Sequence, residues 1–378
     1  MSTDHLMGVY NRAPLEVDRG QGARLWGKDG TEYLDCVMGI STNALGHANP
    51  ILVQAVKDQA EKLWHVSNIF KIPGQEALAD ALCEKSFADV VFFTNSGTEA
   101  VECAIKTARK YHSSAGNAER IDIYGFDGSF HGRTYGAINA AANPSYTNGF
   151  GPPMEGFHQL VWGDREALTA AFQNPNTAAI ILEPVQGEGG CRATPDEDLR
   201  WMRQMADDNG VLIIFDEVQC GMGRTGKLWA HEWAGMTPDI MAIAKALGGG
   251  FPIGACLATT KAASVVARQA PTGKPPPRAL ATAMMSGAMP AHSWAHSLPV
   301  RPMPHWTSSK MISTPVSSAI WRIQRRSSSG VARQPPSPCT GSRMIAAVLG
   351  FWKAAVRASR SPQTSWWKPS IGGPKPLV

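Results

Sequence analysis

The feature that most constrains the fold is a series of short apolar, β-rich segments separated by stretches with a helical pattern. The apolar segments lie at 90–94, 121–126, 158–163, 178–185 and 211–215. Two intervening stretches, 99–112 and 196–210, have the apolar spacing of an amphipathic helix. Continuous apolar strands that alternate with helices are typical of a parallel sheet covered on both faces, so we predict an α/β fold. A small hairpin is predicted within 22–41.

Polar residues follow three of these apolar segments, at the point where each segment ends. They lie at 95–98, 183–188 and 216–219. In sheets of this kind, ligands bind beyond the carboxyl ends of the strands. The sequence therefore predicts one ligand site assembled from these three segments.

Charge is distributed unevenly along the chain. Residues 1–264 carry 21 Lys and Arg against 31 Asp and Glu, whereas residues 265–378 carry 15 Lys and Arg and no acidic residue. The second part also holds 16 of the 27 prolines and has no sustained helical or strand period outside a candidate short helix at 344–356. We therefore predict that 265–378 is disordered or poorly packed.

Lys245 differs from an ordinary surface lysine because it lies in the apolar, glycine-rich stretch IMAIAKALGGG. An ε-amine in an apolar pocket has a lowered pKa and can bond to a carbonyl carbon. Asp216 ends an apolar run, where a carboxylate can keep a pyridine nitrogen protonated. Gln219 lies close enough in sequence to hydrogen-bond a ring hydroxyl. A solvated turn or a metal ligand is the alternative for Asp216.

Three further motifs fit a role in ligand binding, and each also has an ordinary structural alternative. Gly97 and Thr98 lie at a predicted strand-to-helix junction that favours a phosphate, although a plain helix cap has the same composition. Phe130 and Arg133, in SFHGRT, offer a ring face and a carboxylate-binding fork, or form a loop with a core aromatic. The segment 183–188 is a second polar loop after a strand.

Five motifs occur along the chain in the order NSGTEA, SFHGRT, EPVQGEGG, LIIFDEVQCGMGRTG and AKALGGGFPIG. In order and spacing they together resemble the class III pyridoxal-phosphate aminotransferases. The resemblance covers 1–264, and this region, including LGHANP, is most similar to the members that act on N-acetylornithine. It implies fold type I, a mostly parallel central sheet with helices on both faces, and pyridoxal 5'-phosphate as cofactor. It also implies a large cofactor domain at 61–264 and a small domain to which 1–60 contributes.

The resemblance implies a role for each site residue. Lys245 would hold the cofactor aldehyde and move the substrate proton, which makes it the catalytic residue. The cofactor contacts would be Asp216 at the pyridine nitrogen, Gln219 at the phenolic oxygen, Phe130 on the ring, Gly97 and Thr98 at the phosphate, and Val218. Arg133 would bind a substrate carboxylate, and Glu188 would help to switch the site between its two substrates. No metal is implied.

The implied reaction transfers the amino group of N-acetylornithine to 2-oxoglutarate, giving N-acetylglutamate 5-semialdehyde and glutamate. This is a step of arginine biosynthesis, carried out in the cytoplasm by a homodimer. Ornithine, succinylornithine and 4-aminobutyrate stay open as alternative amino donors.

Residues 265–378 depart from the family pattern. The stretch G-[ST]-T-[FY]-G-G-N-P is missing, as is the arginine in an R-G-x-G-L setting. The small domain is therefore expected to be incomplete, and the chain to be poorly soluble and weakly active or a non-catalytic remnant. The composition of this tail fits translation in a shifted reading frame, a hypothesis that the coding DNA around codons 255–300 would test.

Other classes of protein receive little support. No apolar run approaches a membrane span, and no signal peptide is recognisable at the N-terminus. The seven cysteines form no CxxC pair and are interpreted as reduced thiols. The basic tail favours a nucleic-acid or anionic-membrane binder only weakly, so we expect neither partner.

Overall fold

The computed structural model describes residues 5–267, with side chains to residue 263. The strands are β1 (Val17–Gln21), β2 (Arg24–Gly27), β3 (Glu32–Leu34), β4 (Val90–Thr94), β5 (Asp122–Phe126), β6 (Phe157–Leu160), β7 (Thr177–Leu182), β8 (Val185–Gln186), β9 (Arg192–Ala193), β10 (Leu212–Asp216), β11 (Ile240–Ile243) and β12 (Gly254–Ala258). The helices are α1 (Met38–Ser41), α2 (Pro50–Ala60), α3 (Pro73–Glu84), α4 (Gly97–Ser114), α5 (Tyr135–Ala141), α6 (Pro144–Thr147), α7 (Arg165–Gln173), α8 (Asp196–Asn209) and α9 (Thr260–Ala267). Short 3-10 helices occupy Ala230–Trp233 and Lys245–Leu247.

The central sheet has seven strands in the order β4-β12-β11-β10-β7-β5-β6. Strands β11, β10, β7, β5 and β6 pair in parallel, whereas β12 is antiparallel to both of its neighbours, β11 and β4. The predicted mostly parallel sheet is confirmed.

Helices cover both faces of this sheet, as the side chains of β10 demonstrate. Ile213 and Phe215 pack in one core cluster with side chains of α3, α7 and α8. Leu212 and Ile214 point the other way and pack in a second cluster with α4 and α5. Because successive strand residues face opposite sides, a run buried on both faces must be apolar throughout, as 211–215 is.

Several segments match their predicted bounds closely. Strand β4 coincides with the predicted run 90–94. Helix α8 ends at Asn209, and the left-handed φ of 63° at the following Gly210 is a common way to terminate a helix. The predicted hairpin is present, because β2 and β3 pair antiparallel. The sequence did not reveal β11 and β12, which precede and follow Lys245. Each is short, and Gly254 and two alanines give β12 little β-propensity.

The prediction for 265–378, including the candidate helix at 344–356, lies outside the described residues except for 265–267 at the end of α9. The domain limits at 60 and 264 stay predictions. In the part that the structure describes, no helix has the length and apolar character needed to cross a bilayer. Within the same part, no cluster of three His, Cys, Asp or Glu side chains is arranged to hold a metal ion.

Candidate active site

A cavity of about 440 Å³ lies beyond the carboxyl ends of the parallel strands. It is lined by residues that follow β4, β5, β7, β10 and β11, so the three polar segments predicted to meet do meet. Of the predicted site residues, all but Glu188 line it: Gly97, Thr98, Phe130, Arg133, Asp216, Val218, Gln219 and Lys245. A larger cavity of about 520 Å³ lies between α2 and the segment 247–253, but no carboxylate lines it. The cavity of about 440 Å³ is therefore the candidate active site, because carboxylates and Lys245 line it together.

Lys245 begins a 3-10 helix directly beyond β11, and its backbone has an unusual conformation. Its φ is 46°, in the left-handed region that residues other than glycine rarely adopt. Burial lowers the pKa of its amine, while the nearby carboxylates of Asp216, Glu183 and Glu188 act in the opposite direction without cancelling the effect. A larger neutral fraction makes the amine a better nucleophile and base near neutral pH.

Asp216 is buried at the end of β10 and is held by two hydrogen bonds. Its Oδ2 lies 2.8 Å from Nδ1 of His131, and its Oδ1 accepts the Val218 N–H at 3.0 Å. Burial alone would lower the pKa of His131, but the hydrogen bond and charge of Asp216, with the charge of Glu183, raise it overall. An imidazole that favours its protonated form donates to Asp216 and fixes the orientation of the carboxylate.

Glu183 is a second buried carboxylate in this group, and it links two loops. Its side chain accepts the Phe130 N–H at 2.9 Å and the Gly187 N–H at 3.2 Å. Burial, followed by the charge of Asp216, raises the pKa of Glu183 to about 7, although His131 and the two N–H groups oppose the shift. His131 and Glu183 were not predicted as site residues, although His131 lies in SFHGRT and Glu183 begins EPVQGEGG.

The first turn of α4 presents two backbone donors to the cavity. The Ser96 side chain caps the Glu99 N–H, and the Ser96 carbonyl accepts the Ala100 N–H. Among the described residues, the N–H groups of Gly97 and Thr98 have no partner, and both residues line the cavity. A Cβ at Gly97 would lie 2.8 Å from Val218, so this close approach requires glycine. Two free donors at a helix N-terminus favour an anion.

Arg133 is exposed at the rim of the cavity and stacks on an aromatic pair. Its guanidinium lies 4.1 Å from the Tyr146 ring centroid and 5.4 Å from that of Phe130, and the two rings meet edge to face at 5.8 Å. Tyr146 was not predicted, because nothing in the sequence marks it as a partner of Arg133. Glu188 is exposed and does not line the cavity, but its charge reaches Lys245.

Comparison with known proteins identifies the family to which this chain belongs. The family described as Aminotransferase class-III matches residues 8–286. The chain belongs to the class-III aminotransferases. The match continues past residue 264, so the family pattern extends somewhat further than the quoted motifs.

This chain matches only part of the length of its relatives. The Acetylornithine aminotransferase 2 of Caulobacter vibrioides is 71% identical over 263 residues, which are 69% of this chain and 65% of that protein. The N-acetylornithine aminotransferase structure from Stenotrophomonas maltophilia is 41% identical with a TM-score of 0.60, covering 68% of this chain and 65% of the other. The ornithine aminotransferase structure from Toxoplasma gondii is 31% identical with a TM-score of 0.66, covering 69% and 62%. The chain thus spans 65% of the length of the Caulobacter protein and 64% of that of the Acetylornithine aminotransferase of Brucella melitensis, less than two thirds of each.

The residues of the cavity fit the pyridoxal 5'-phosphate that this family implies. The volume lies in the range of small-molecule sites. The α4 donors fit a phosphate, Asp216 fits a protonated ring nitrogen, and Lys245 fits an aldehyde. His131 adds a further buried group, since its Nε2 has no partner in the described part of the chain and the residue lines the cavity.

Proposed function

We propose that this class-III aminotransferase transfers the amino group of N-acetylornithine to 2-oxoglutarate, with pyridoxal 5'-phosphate as cofactor. The observation that carries the proposal is the single cavity in which Lys245, Asp216 and the free donors of α4 come together. The choice of N-acetylornithine is supported by the names of the relatives, above all the 71% identical Caulobacter protein.

The cofactor, when bound, supplies an electron-withdrawing ring that stabilises negative charge on the substrate carbon. The Lys245 Nζ, whose pKa is lowered by burial, accepts the proton from that carbon and returns it to the neighbouring position. The Asp216 carboxylate, which His131 holds in place, would keep a proton on the ring nitrogen of the bound cofactor. Gln219 would contact the phenolic oxygen, and Val218 would contact the ring.

Recognition of the two substrates falls to side chains at the rim. Arg133 binds a carboxylate through its planar fork, and the Tyr146 ring behind it limits the orientations of the guanidinium. Phe130 lines the cavity and would stack on the cofactor ring. Glu188 lies close enough to Lys245 to change the local charge as one substrate replaces the other.

The proposal extends to the setting of the enzyme. We place it in the cytoplasm, in arginine biosynthesis, and as a homodimer. Residues 265–378 lack the family motifs that complete the small domain, so we expect turnover well below that of a complete family member. The products would be N-acetylglutamate 5-semialdehyde and glutamate.

An absorption titration of the purified full chain with pyridoxal 5'-phosphate tests the site, with Lys245→Ala as the matched variant. A visible band in the unsubstituted chain that is missing from the variant is expected, because Lys245 is the one lysine among the described residues that line this cavity. N-acetylornithine should bleach the band more effectively than ornithine, succinylornithine or 4-aminobutyrate. A band of equal intensity in both proteins would refute the assignment of Lys245.

A further inference from the structure

Glu102 lies on α4, one turn beyond Thr98, and it contacts the segment that carries Arg133. Its Oε1 accepts two hydrogen bonds, from the Thr134 hydroxyl at 2.6 Å and from the Gly136 N–H at 2.9 Å. None of the sequence motifs assigns Glu102 a role, and it does not line the cavity. Both hydrogen bonds are made with the segment that directly follows Arg133.

These contacts replace the usual cap of α5. Thr134 occupies the N-cap position of α5, where a threonine side chain normally accepts an N–H of the first turn, but it makes no such bond. Glu102 accepts the Gly136 N–H instead, and so caps α5 from a different helix. A Cβ at Gly136 would lie 2.7 Å from the Glu102 carboxylate oxygens, so glycine is needed for this approach. Arg133 directly precedes the N-cap, and the cap therefore fixes the point from which its side chain extends.

The same carboxylate sets the direction of a hydrogen-bond chain. Thr134 gives its one hydroxyl proton to Glu102, since a carboxylate can only accept. In the 3.0 Å contact between the Thr98 and Thr134 hydroxyls, Thr98 must then be the donor. The Thr98 proton consequently points toward Thr134, and the Thr98 backbone N–H is left as the donor that faces the cavity.

We propose that Glu102 is a positioning residue for the Arg133 carboxylate subsite, an inference that rests on the proposed function for the identity of the ligand. It caps α5 across the gap between two helices and orients the Thr98 hydroxyl through Thr134. Because Arg133 binds a carboxylate, the dicarboxylate 2-oxoglutarate is the substrate used to measure the effect of this arrangement.

Deuterium exchange of the full chain tests the capping directly and needs no ligand. In Glu102→Ala, amides in peptides spanning 132–141 should exchange at least about tenfold faster, because the cap of α5 is lost. Glu102→Gln should exchange like the unsubstituted chain, since both bonds are made to a single oxygen that an amide also offers. Glu166→Ala, which removes an exposed charge from the first turn of α7, is the control and should change nothing in this region.

Steady-state kinetics, or calorimetry of 2-oxoglutarate binding if turnover is too slow, tests the consequence for the substrate. Glu102→Ala should raise the KM or Kd for 2-oxoglutarate about tenfold and leave kcat within about twofold, because an interaction that only holds the substrate is weakened. Glu102→Gln should restore most of the affinity. A merely structural role would lower the active fraction, and hence kcat, without raising KM.

The outcomes separate the two proposals. Unchanged exchange in Glu102→Ala, or a Glu102→Gln variant that behaves like Glu102→Ala, overturns the positioning role whatever the enzyme does. Faster exchange without any change in the affinity for 2-oxoglutarate overturns the link to Arg133. Faster exchange in a chain that neither binds nor converts 2-oxoglutarate keeps the cap and refutes the proposed function.

Discussion

Lys245 has a backbone φ of 46°, and this conformation costs free energy for any residue with a Cβ. We expect Lys245→Gly to be more stable to urea than Lys245→Ala by about 1 kcal/mol, because glycine adopts this φ without a steric penalty. Both variants lack the amine, so the comparison isolates the backbone. Equal unfolding midpoints, or a more stable alanine variant, would show that Lys245 is not strained in the folded protein.

Thr98 and Gly97 should contribute unequally to cofactor binding. Thr98→Val should keep the affinity for pyridoxal 5'-phosphate within about threefold, because the Thr98 hydroxyl is engaged with Thr134 and its N–H is retained. Gly97→Ala should lose at least about tenfold, because its Cβ would press on Val218 and push α4 away from the cavity. Fluorescence titration would measure both constants, and the reverse order would assign the phosphate contact to the hydroxyl.

Glu183 should make the stability of the protein depend on pH. Its pKa is raised from 4.5 to about 7, so the folded state binds this proton more tightly than the unfolded state. The contribution of Glu183 to the free energy of unfolding is therefore largest below pH 4.5 and is lost as the pH rises to about 7. Urea unfolding at several pH values should show the unsubstituted chain losing stability relative to Glu183→Gln over this window. A constant difference would mean that folding does not raise the pKa of Glu183.

At the scale of elements, the end of β10 is fixed by Glu217, whose side chain is fully buried on the side of the sheet away from Asp216. It accepts the Ala230 N–H at 2.7 Å and the His231 N–H at 3.0 Å, and its Oε1 lies 2.6 Å from His231 Nδ1. Glu217→Ala should lower the free energy of unfolding by roughly 3 kcal/mol, because several buried donors lose their acceptor.

Glu232→Ala is the control for this prediction, because Glu232 lies in the same 3-10 helix as Ala230 and His231. The Glu232 side chain is only partly buried, and its carbonyl, which accepts the Lys227 amine, is retained in the variant. Its effect should stay within about 0.5 kcal/mol. Similar losses of unfolding free energy in Glu217→Ala and Glu232→Ala would indicate that stability depends on the 3-10 helix as a whole rather than on the Glu217 carboxylate.

At the scale of the whole molecule, the segment 63–70 leaves large apolar side chains in contact with solvent. Trp64 is 87% exposed, Ile69 74% and Phe70 53%. Apolar surface of this kind drives association, so we expect the purified chain to be poorly soluble. Trp64→Lys and Ile69→Lys should raise the fraction that stays in solution after centrifugation. Val161→Lys, at a separate exposed valine beyond β6, should not, and a freely soluble unsubstituted chain would contradict the prediction.

The sequence by itself determined those features that depend on neighbouring residues. The all-apolar run before Asp216 specifies a strand buried on both faces, and the Ser96-Gly97 junction specifies the start of a helix. Strand β12 was not predictable, because its antiparallel pairing with β11 and β4 is a property of the assembled sheet rather than of its own weakly β-forming residues.

Only the tertiary structure decided how the side chains of the site are held. His131 and Asp216 are 85 residues apart in the chain, and Glu102 and Thr134 are 32 apart. No local pattern encodes such pairs, because a hydrogen bond between distant residues depends on where the sheet and its helices place them. The motifs therefore predict Lys245, Asp216, Gly97 and Arg133 as site residues, whereas the capping of α5 by Glu102 and the direction of the Thr98 hydroxyl follow from packing alone.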